Sequence, residues 1–417
     1  MTINKSLCYR WCIWILTVLF LPYQFFLQAS PSVMVPELIH AFSINMVDIG
    51  FLSSCFFYSY ILLQVPSGSL IDRYGIRIIL TLTILLCASA CLLFAFSSTY
   101  FMAKLSRFLM GVAASTSVVS ALSLATKWFP IHYFGLLAGL MEMLGMLGGA
   151  IGQATLAKGV EYLGWRESMM ICGGIGFVLA FFVFLLVRDK DKQFISTPAK
   201  IETYPFLQQL SLIFKNKQLW INGMYCGLIF AILSGFAGLW SVPYLTACYD
   251  RTPTGAAYET AIMFIGAGVG GPLLGWLAGK FSCYKKIMLL CAIGALTTFS
   301  IILYVKGIPI LGLFLLLFLL GFFSGAYAIS FIVAERNISI QAKGAAMGFT
   351  NTLCIIIGAP IIQPLVGYWL GKQLILMKGA SVYTCDHYQY ALSPLNICLL
   401  LAIFCALLIK DIPITQE

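Results

Sequence analysis

Twelve separate apolar runs constrain this chain more than any other feature. They lie at about 11–35, 47–71, 78–97, 100–125, 135–157, 168–187, 219–247, 259–279, 287–304, 308–334, 345–371 and 394–409. A helix needs about 20 apolar residues to cross a bilayer. The runs are continuous rather than alternating, which excludes a transmembrane barrel. Twelve such helices take up roughly 240 residues, so the rest of the 417 suffices for connectors but not for a sizeable soluble domain. Composition agrees: the chain is 61% hydrophobic and carries 40 charged residues (25 basic, 15 acidic), where a soluble chain at about 25% charged would carry roughly 100. The expected fold is an all-α membrane protein with twelve transmembrane helices, numbered helices 1 to 12 in the order of these runs.

The basic residues set the expected orientation. With the N-terminus inside, the inner segments hold 17 Lys and Arg, the outer loops hold six, and Lys104 and Arg107 fall within helix 4. This bias places both termini in the cytoplasm. The net charge of +10 therefore reads as membrane orientation and not as a nucleic-acid footprint. Lys5 and Arg10 ahead of an apolar run resemble a signal peptide, but the run continues to about Val35 and no A-x-A site follows, so it reads as an uncleaved first helix. Of the fourteen cysteines, ten lie within apolar runs as small packing residues. Cys248 and Cys385 fall outside the runs on the same expected outer side, and whether they pair is left open.

One connector, 188–218, is polar, charged and longer than every other. It divides the chain into an N-terminal six-helix half (1–187) and a C-terminal six-helix half (219–417) joined by a cytoplasmic linker. The start of helix 7 near Leu219 lies 208 residues after that of helix 1 near Trp11, which points to pseudo-symmetric duplicated halves. After helix 2 comes Gly68-Ser69-Leu70-Ile71-Asp72-Arg73-Tyr74-Gly75-Ile76-Arg77. After helix 8, Gly275-Trp276-Leu277-Ala278-Gly279-Lys280 and Lys285-Lys286 form a degenerate copy offset by 207.

The whole arrangement resembles the major facilitator superfamily. Gly68, Asp72, Arg73, Gly75 and Arg77 match its G-x-x-x-D-R-x-G-x-R signature between helices 2 and 3, and Arg107 to Gly111 resembles its helix 4 signature. Lys127-Trp128-Phe129-Pro130 and Gly164-Trp165-Arg166 are similar to segments of its organic-anion, nitrate and sugar-acid uptake branches. The pattern also resembles phagosomal nutrient transporters of intracellular bacteria and lysosomal dipeptide carriers. The resemblance implies a multi-pass protein of the bacterial inner membrane that works by alternating access. Gly68, Asp72, Arg73, Gly75 and Arg77 then read as a cytoplasmic gating latch, or as a basic turn that only sets topology. Gly139, Gly148 and Gly152 resemble part of the drug/proton antiporter signature, but Gln153 stands where that signature has proline.

Ionisable residues deep in a membrane helix are costly and usually functional. Glu142 lies seven residues into helix 5, about 10 Å from the inner end. It is the candidate proton-coupling carboxyl, the alternative being a carboxyl bonded between helices or reaching the cytoplasm. Arg107 lies about 10 Å from the outer end of helix 4, where it anchors helix 1 or meets an anionic substrate. On helix 1, Tyr23, Gln24 and Gln28 form a polar stripe flanked by Pro22 and Pro31 and are candidate substrate-binding residues. In the second half the candidates are Asn222, Tyr225, Tyr327, Asn351 and Gln363, with Trp240 and Ser330 beside them.

No phosphate-cradling G-x-x-x-x-G-K-[ST] and no H-E-x-x-H occur, and the three histidines are scattered. No catalytic residue, metal site, cofactor or nucleic-acid partner is expected. The reading is a monomeric secondary transporter, not an enzyme, that moves a small polar or anionic nutrient (an organic acid, amino acid or dipeptide) across the lipid bilayer by proton symport. The alternatives are an exporter of amphiphilic or siderophore-like compounds, and a receptor on the same fold that moves nothing.

Overall fold

The structure is a computed structural model and describes residues 2–130, 133–189, 206–376 and 383–410. Every regular element among these residues is helical. Twelve helices are long and apolar enough to cross a membrane: Cys8–Val33, Met46–Gln64, Ile76–Ala95, Tyr100–Trp128, Leu136–Leu163, Trp165–Leu186, Lys217–Tyr249, Pro253–Lys280, Tyr284–Tyr304, Ile310–Arg336, Lys343–Gln373 and Cys385–Leu408. Each coincides with one of the twelve apolar runs. Between Phe206 and Lys215 the linker forms a further short helix, while 190–205 lie outside the described residues.

Among the boundaries that differ from expectation, two have plain local reasons. Helix 8 starts at Pro253, six residues before 259. Thr252 accepts the Gly255 N–H at 3.1 Å, and Pro253 fills the first helical position, where a missing N–H does no harm. Helix 12 starts at Cys385, nine residues before 394, because Thr384 and His387 form a reciprocal cap and Pro394 is accommodated inside the helix. These extensions move polar residues from expected loops into helices.

Five membrane helices are irregular along their length. Helix 1 tightens to a 3-10 turn at Ser30–Val33, around Pro31. Helix 4 breaks between Ala114 and Ser117. Helix 7 widens to a π-helix over Ile232–Trp240, helix 10 tightens at Gly325–Ala328, and helix 11 widens at Ile357–Ile361, around Pro360. Such backbone is tolerated at membrane depth where protein surrounds it, and π segments often mark functional sites. Helix 7 is accordingly the most enclosed span, with 94% of its most apolar window buried.

The chain separates into two compact units. One comprises 1–45 and 51–197, the other 46–50 and 198–417. In the first, helix 5 lies directly on helix 1. A Cβ at Gly148 would collide with Pro22 and one at Gly152 would lie 2.5 Å from Phe26, so glycine sets the spacing. In the second, helices 7, 10 and 11 share a seam, and helix 8 packs on helix 10 with Gly266 and Gly270 against the Phe318 and Phe322 backbone.

Candidate functional site

In the first unit the site is built around a kink. Pro31 has no N–H to offer the carbonyl of Leu27. The Leu27 carbonyl accepts from the Ser30 hydroxyl at 2.8 Å and from Arg107 on helix 4, whose Nη1 donates to it at 2.6 Å while Nη2 donates to Gln28 O at 3.1 Å. The guanidinium is wholly buried, lies 5.1 Å from the Phe56 ring centroid, and has Met110 Sδ at 3.9 Å. Its Nε has no hydrogen-bond partner. None of the ion pairs found among the described residues includes Arg107.

The three helix 1 candidates diverge. Tyr23 is turned to helices 3 and 6, where its hydroxyl donates to Cys172 O at 2.9 Å and lies 3.6 Å from Cys91 Sγ. Gln24 is buried, and its Oε1 has no partner. Gln28 is half-buried, with its carbonyl on Arg107.

Glu142 is half-buried and engaged by neighbouring groups. It sits three residues before Gly145, which faces Leu21 and Phe25 of helix 1. Counting turns along helix 1, Arg107 at Leu27 and Glu142 beyond Leu21 are more than about 10 Å apart. The structure does not bring them together.

The signature connector between helices 2 and 3 binds within its own unit. Gly75 has φ +87°, and a Cβ there would meet the Asp189 carboxylate at 2.8 Å. Asp189 Oδ1 accepts the Arg77 N–H at 3.0 Å, capping helix 3 from the end of helix 6. Arg77 Nε donates to Phe184 O at 2.8 Å, with its guanidinium over the Phe184 ring at 4.5 Å. Arg73 lies over Tyr74. Gly68 is helical, with Val119 Cγ1 at 3.9 Å from an added Cβ, so no close approach demands glycine there. The Asp72 side chain lies outside the described residues.

In the second unit, Asn222, Tyr327 and Gln363 line the seam of helices 7, 10 and 11. Asn222 Nδ2 donates to Ser330 O at 2.8 Å, while Asn222 Oδ1, Ser330 Oγ and Thr350 Oγ1 are buried without hydrogen-bond partners. Tyr327 packs on Phe230 at 5.0 Å between centroids, and its carbonyl accepts from Cys226 Sγ. Gln363, just past the π segment of helix 11, holds that of helix 7 at two points: its Nε2 donates to Ser234 O at 2.8 Å, and its backbone carbonyl accepts from Trp240 Nε1 at 3.2 Å. Tyr225 points elsewhere, donating to Met288 O of helix 9 at 2.8 Å. Asn351 is half-buried on helix 11.

Several groups went unread in the sequence. Asp189 was assigned to the linker. Glu259, counted as the first residue of helix 8, lies six residues inside it and is buried, paired with Arg251. Cys248 and Cys385, whose pairing the sequence left open, form a disulfide with Cα atoms 4.6 Å apart, at the end of helix 7 and the start of helix 12. Among the described residues no group of three or more His, Cys, Asp or Glu is placed to hold a metal ion.

A model of the Major Facilitator Superfamily matches residues 15–362. The chain is 22% identical over 284 residues to the Bacillus subtilis protein named uncharacterized transporter YybO, covering 62% of each; it thus spans about three-fifths of that relative's length. It is 21% identical over 413 residues to the probable galactarate/D-glucarate transporter GudP of Escherichia coli, covering 90% of each. Among solved structures, an inward-facing, occupied bacterial homologue of the human lysosomal transporter Spinster superposes with a TM-score of 0.79 at 15% identity over 97% of each chain. That likeness carries the fold alone.

Proposed function

The chain belongs to the Major Facilitator Superfamily, and from that premise we propose that it is a secondary transporter taking up a small organic anion with a proton by alternating access. The observation that carries the anion is Arg107: a buried guanidinium held by two carbonyls and an aromatic face, with no carboxylate paired to it among the described residues. Carbonyls solvate a cation but do not neutralise it, and a buried charge without a counter-charge is costly. A substrate carboxylate supplies the missing charge, and Nε is the donor left for it. The sugar-acid relative supports the same class.

In this reading Gln24, Gln28 and Arg107 bind substrate from the N-terminal half (1–187). Asn222, Tyr327, Asn351 and Gln363 are the candidate substrate-binding residues of the C-terminal half (219–417). Tyr23 and Tyr225, each turned to a neighbouring helix, hold the framework. Glu142 carries the proton, and the connector with Gly75 and Arg77 keeps helices 3 and 6 together while the protein cycles. Both termini are cytoplasmic; the basic-residue bias supports this, and so does the Cys248–Cys385 disulfide, since such bonds persist in oxidising compartments.

The test is a thermal-shift screen of the purified full chain against sugar acids, hydroxybenzoates, amino acids and neutral sugars. A bound substrate raises Tm with concentration. Carboxylates that stabilise the wild type, but not Arg107→Lys, support the reading. Stabilisation by neutral or cationic amphiphiles alone overturns it.

A further inference from the structure

Glu259 is the one acidic side chain in the buried set of the described residues. It is 3% exposed, about 9 Å along helix 8 from Pro253 at the expected outer end. Arg251, in the short connector after helix 7, places Nε 2.8 Å from its Oε1, close enough for an ion pair but without the alignment of a hydrogen bond. The second oxygen, Oε2, is buried and has no donor. A carboxylate half-satisfied in this way is poorly solvated as an anion, and proton binding at Oε2 would relieve it.

The surroundings favour a proton from one side. Arg251 is partly exposed, at 28%, whereas the carboxyl it pairs with is 3% exposed, so the pair has one member in reach of the medium. Among the described residues, the charged or titratable groups facing Glu259 are Arg251 from the connector and Tyr249 from the end of helix 7. Tyr249 is already committed, donating to Ile302 O at 2.8 Å. Helix 10, packed along helix 8, offers no titratable side chain between Ile310 and Ser324, and Tyr304 of helix 9 is exposed. One residue further along helix 8, the Thr260 hydroxyl meets Ser241 Oγ at 2.9 Å, and Ser241 in turn reaches Ala237 O in the π segment of helix 7. A change at Glu259 is therefore one hydroxyl pair away from the wide turn that Gln363 clasps.

We propose that Glu259 is a second proton-binding site, in the C-terminal unit and distinct from Glu142. Arg251 holds it ionised. When Arg251 moves into the medium, Oε2 takes a proton from that side and the ion pair is broken; on proton release the pair re-forms. The use of this proton in transport rests on the proton-coupled reading above, but its binding does not.

Infrared difference spectroscopy on the purified full chain, titrated between about pH 5 and 8 without substrate, reads the proton directly. The expected result is a protonated-carboxyl band that grows as pH falls, is lost in Glu259→Gln and is retained in Glu142→Gln. Arg251→Gln, a change in a partly exposed connector that leaves the buried carboxyl in place, should move the band's midpoint up by about one pH unit or more, because a cation that favours the anion is gone. A band indifferent to Glu259→Gln, no band at all, or an unmoved midpoint in Arg251→Gln overturns the proposal and leaves a fixed ion pair. Since no substrate is present, that failure is separate from failure of the uptake reading.

Discussion

Arg107 Nη1 donates to the carbonyl oxygen of Leu27 at 2.6 Å, the oxygen that Pro31 cannot reach with an N–H and that the Ser30 hydroxyl also reaches, at 2.8 Å. A proline on one helix and an arginine on another thus form a single device. The proline removes one donor from that oxygen, and the cation adds another. Arg107→Lys keeps the charge but loses the fork that reaches Leu27 and Gln28 together. It should still fold while substrate affinity falls at least about tenfold, which is about 1.4 kcal/mol. Arg107→Ala should lower stability as well. Equilibrium binding and thermal unfolding on both variants check this, and unchanged affinity in Arg107→Lys would remove Arg107 from the site.

Glu142→Gln cannot release a proton. It should abolish accumulation driven by an imposed pH gradient in proteoliposomes while leaving substrate exchange intact. Normal gradient-driven uptake would end its coupling role.

Asp189 and Gly75 should be coupled. Gly75→Ala puts a methyl group into the Asp189 carboxylate at φ +87° and ψ 155°, a backbone region that is essentially glycine's alone and costs on the order of 1–3 kcal/mol for a residue with a Cβ. Asp189→Ala removes the collision and also the cap on Arg77. A double-mutant cycle on thermal stability should give a non-additive term of about 0.5 kcal/mol or more; strict additivity would dissolve the link.

Gln363→Ala leaves the Ser234 carbonyl without its donor, which costs about 1–3 kcal/mol in a buried setting. Hydrogen exchange at 232–240 should rise more than at 217–231, because the π segment is the part that Gln363 holds.

Glu37 lies outside the membrane spans, half-buried beside Pro36, His40, Ala41 and Trp165 around a cavity of about 420 Å³. Burial pushes its carboxyl above the ordinary value of 4.5, opposed in part by a backbone hydrogen bond. The folded state therefore holds the proton more tightly than the unfolded one. Its contribution to stability is fullest below 4.5, falls as pH climbs towards the raised value, and stays low beyond it. Glu37→Gln should raise Tm at pH 7.5 and leave it unchanged near pH 4. A variant less stable at neutral pH would contradict this sign.

Much of the architecture was legible because a bilayer demands long apolar runs, and a run of that kind is visible without knowing its neighbours. What escaped depended on neighbours or on register. Asp189 lies 112 residues from Arg77, and no local pattern announces the cap it forms. Glu259 was missed because Pro253-Thr254-Gly255 reads as a turn, although Thr252 and Pro253 together start a helix there. The π segments of helices 7 and 11 leave hydropathy untouched, and no apolar pattern announces either. Tyr23 and Gln24 are adjacent in sequence, yet one turns to helices 3 and 6 while the other leaves an oxygen unpaired; helical geometry separates them by about 100° but does not say what stands on each side.

The Cys248–Cys385 bond closes 137 residues of sequence separation into a covalent ring that contains helices 8 to 11. A single protease cut in any connector of that ring opens it without releasing a fragment. The nicked chain would migrate as one species until reductant is added and then separate into two, so the chain's continuity through this half does not depend on every peptide bond within it.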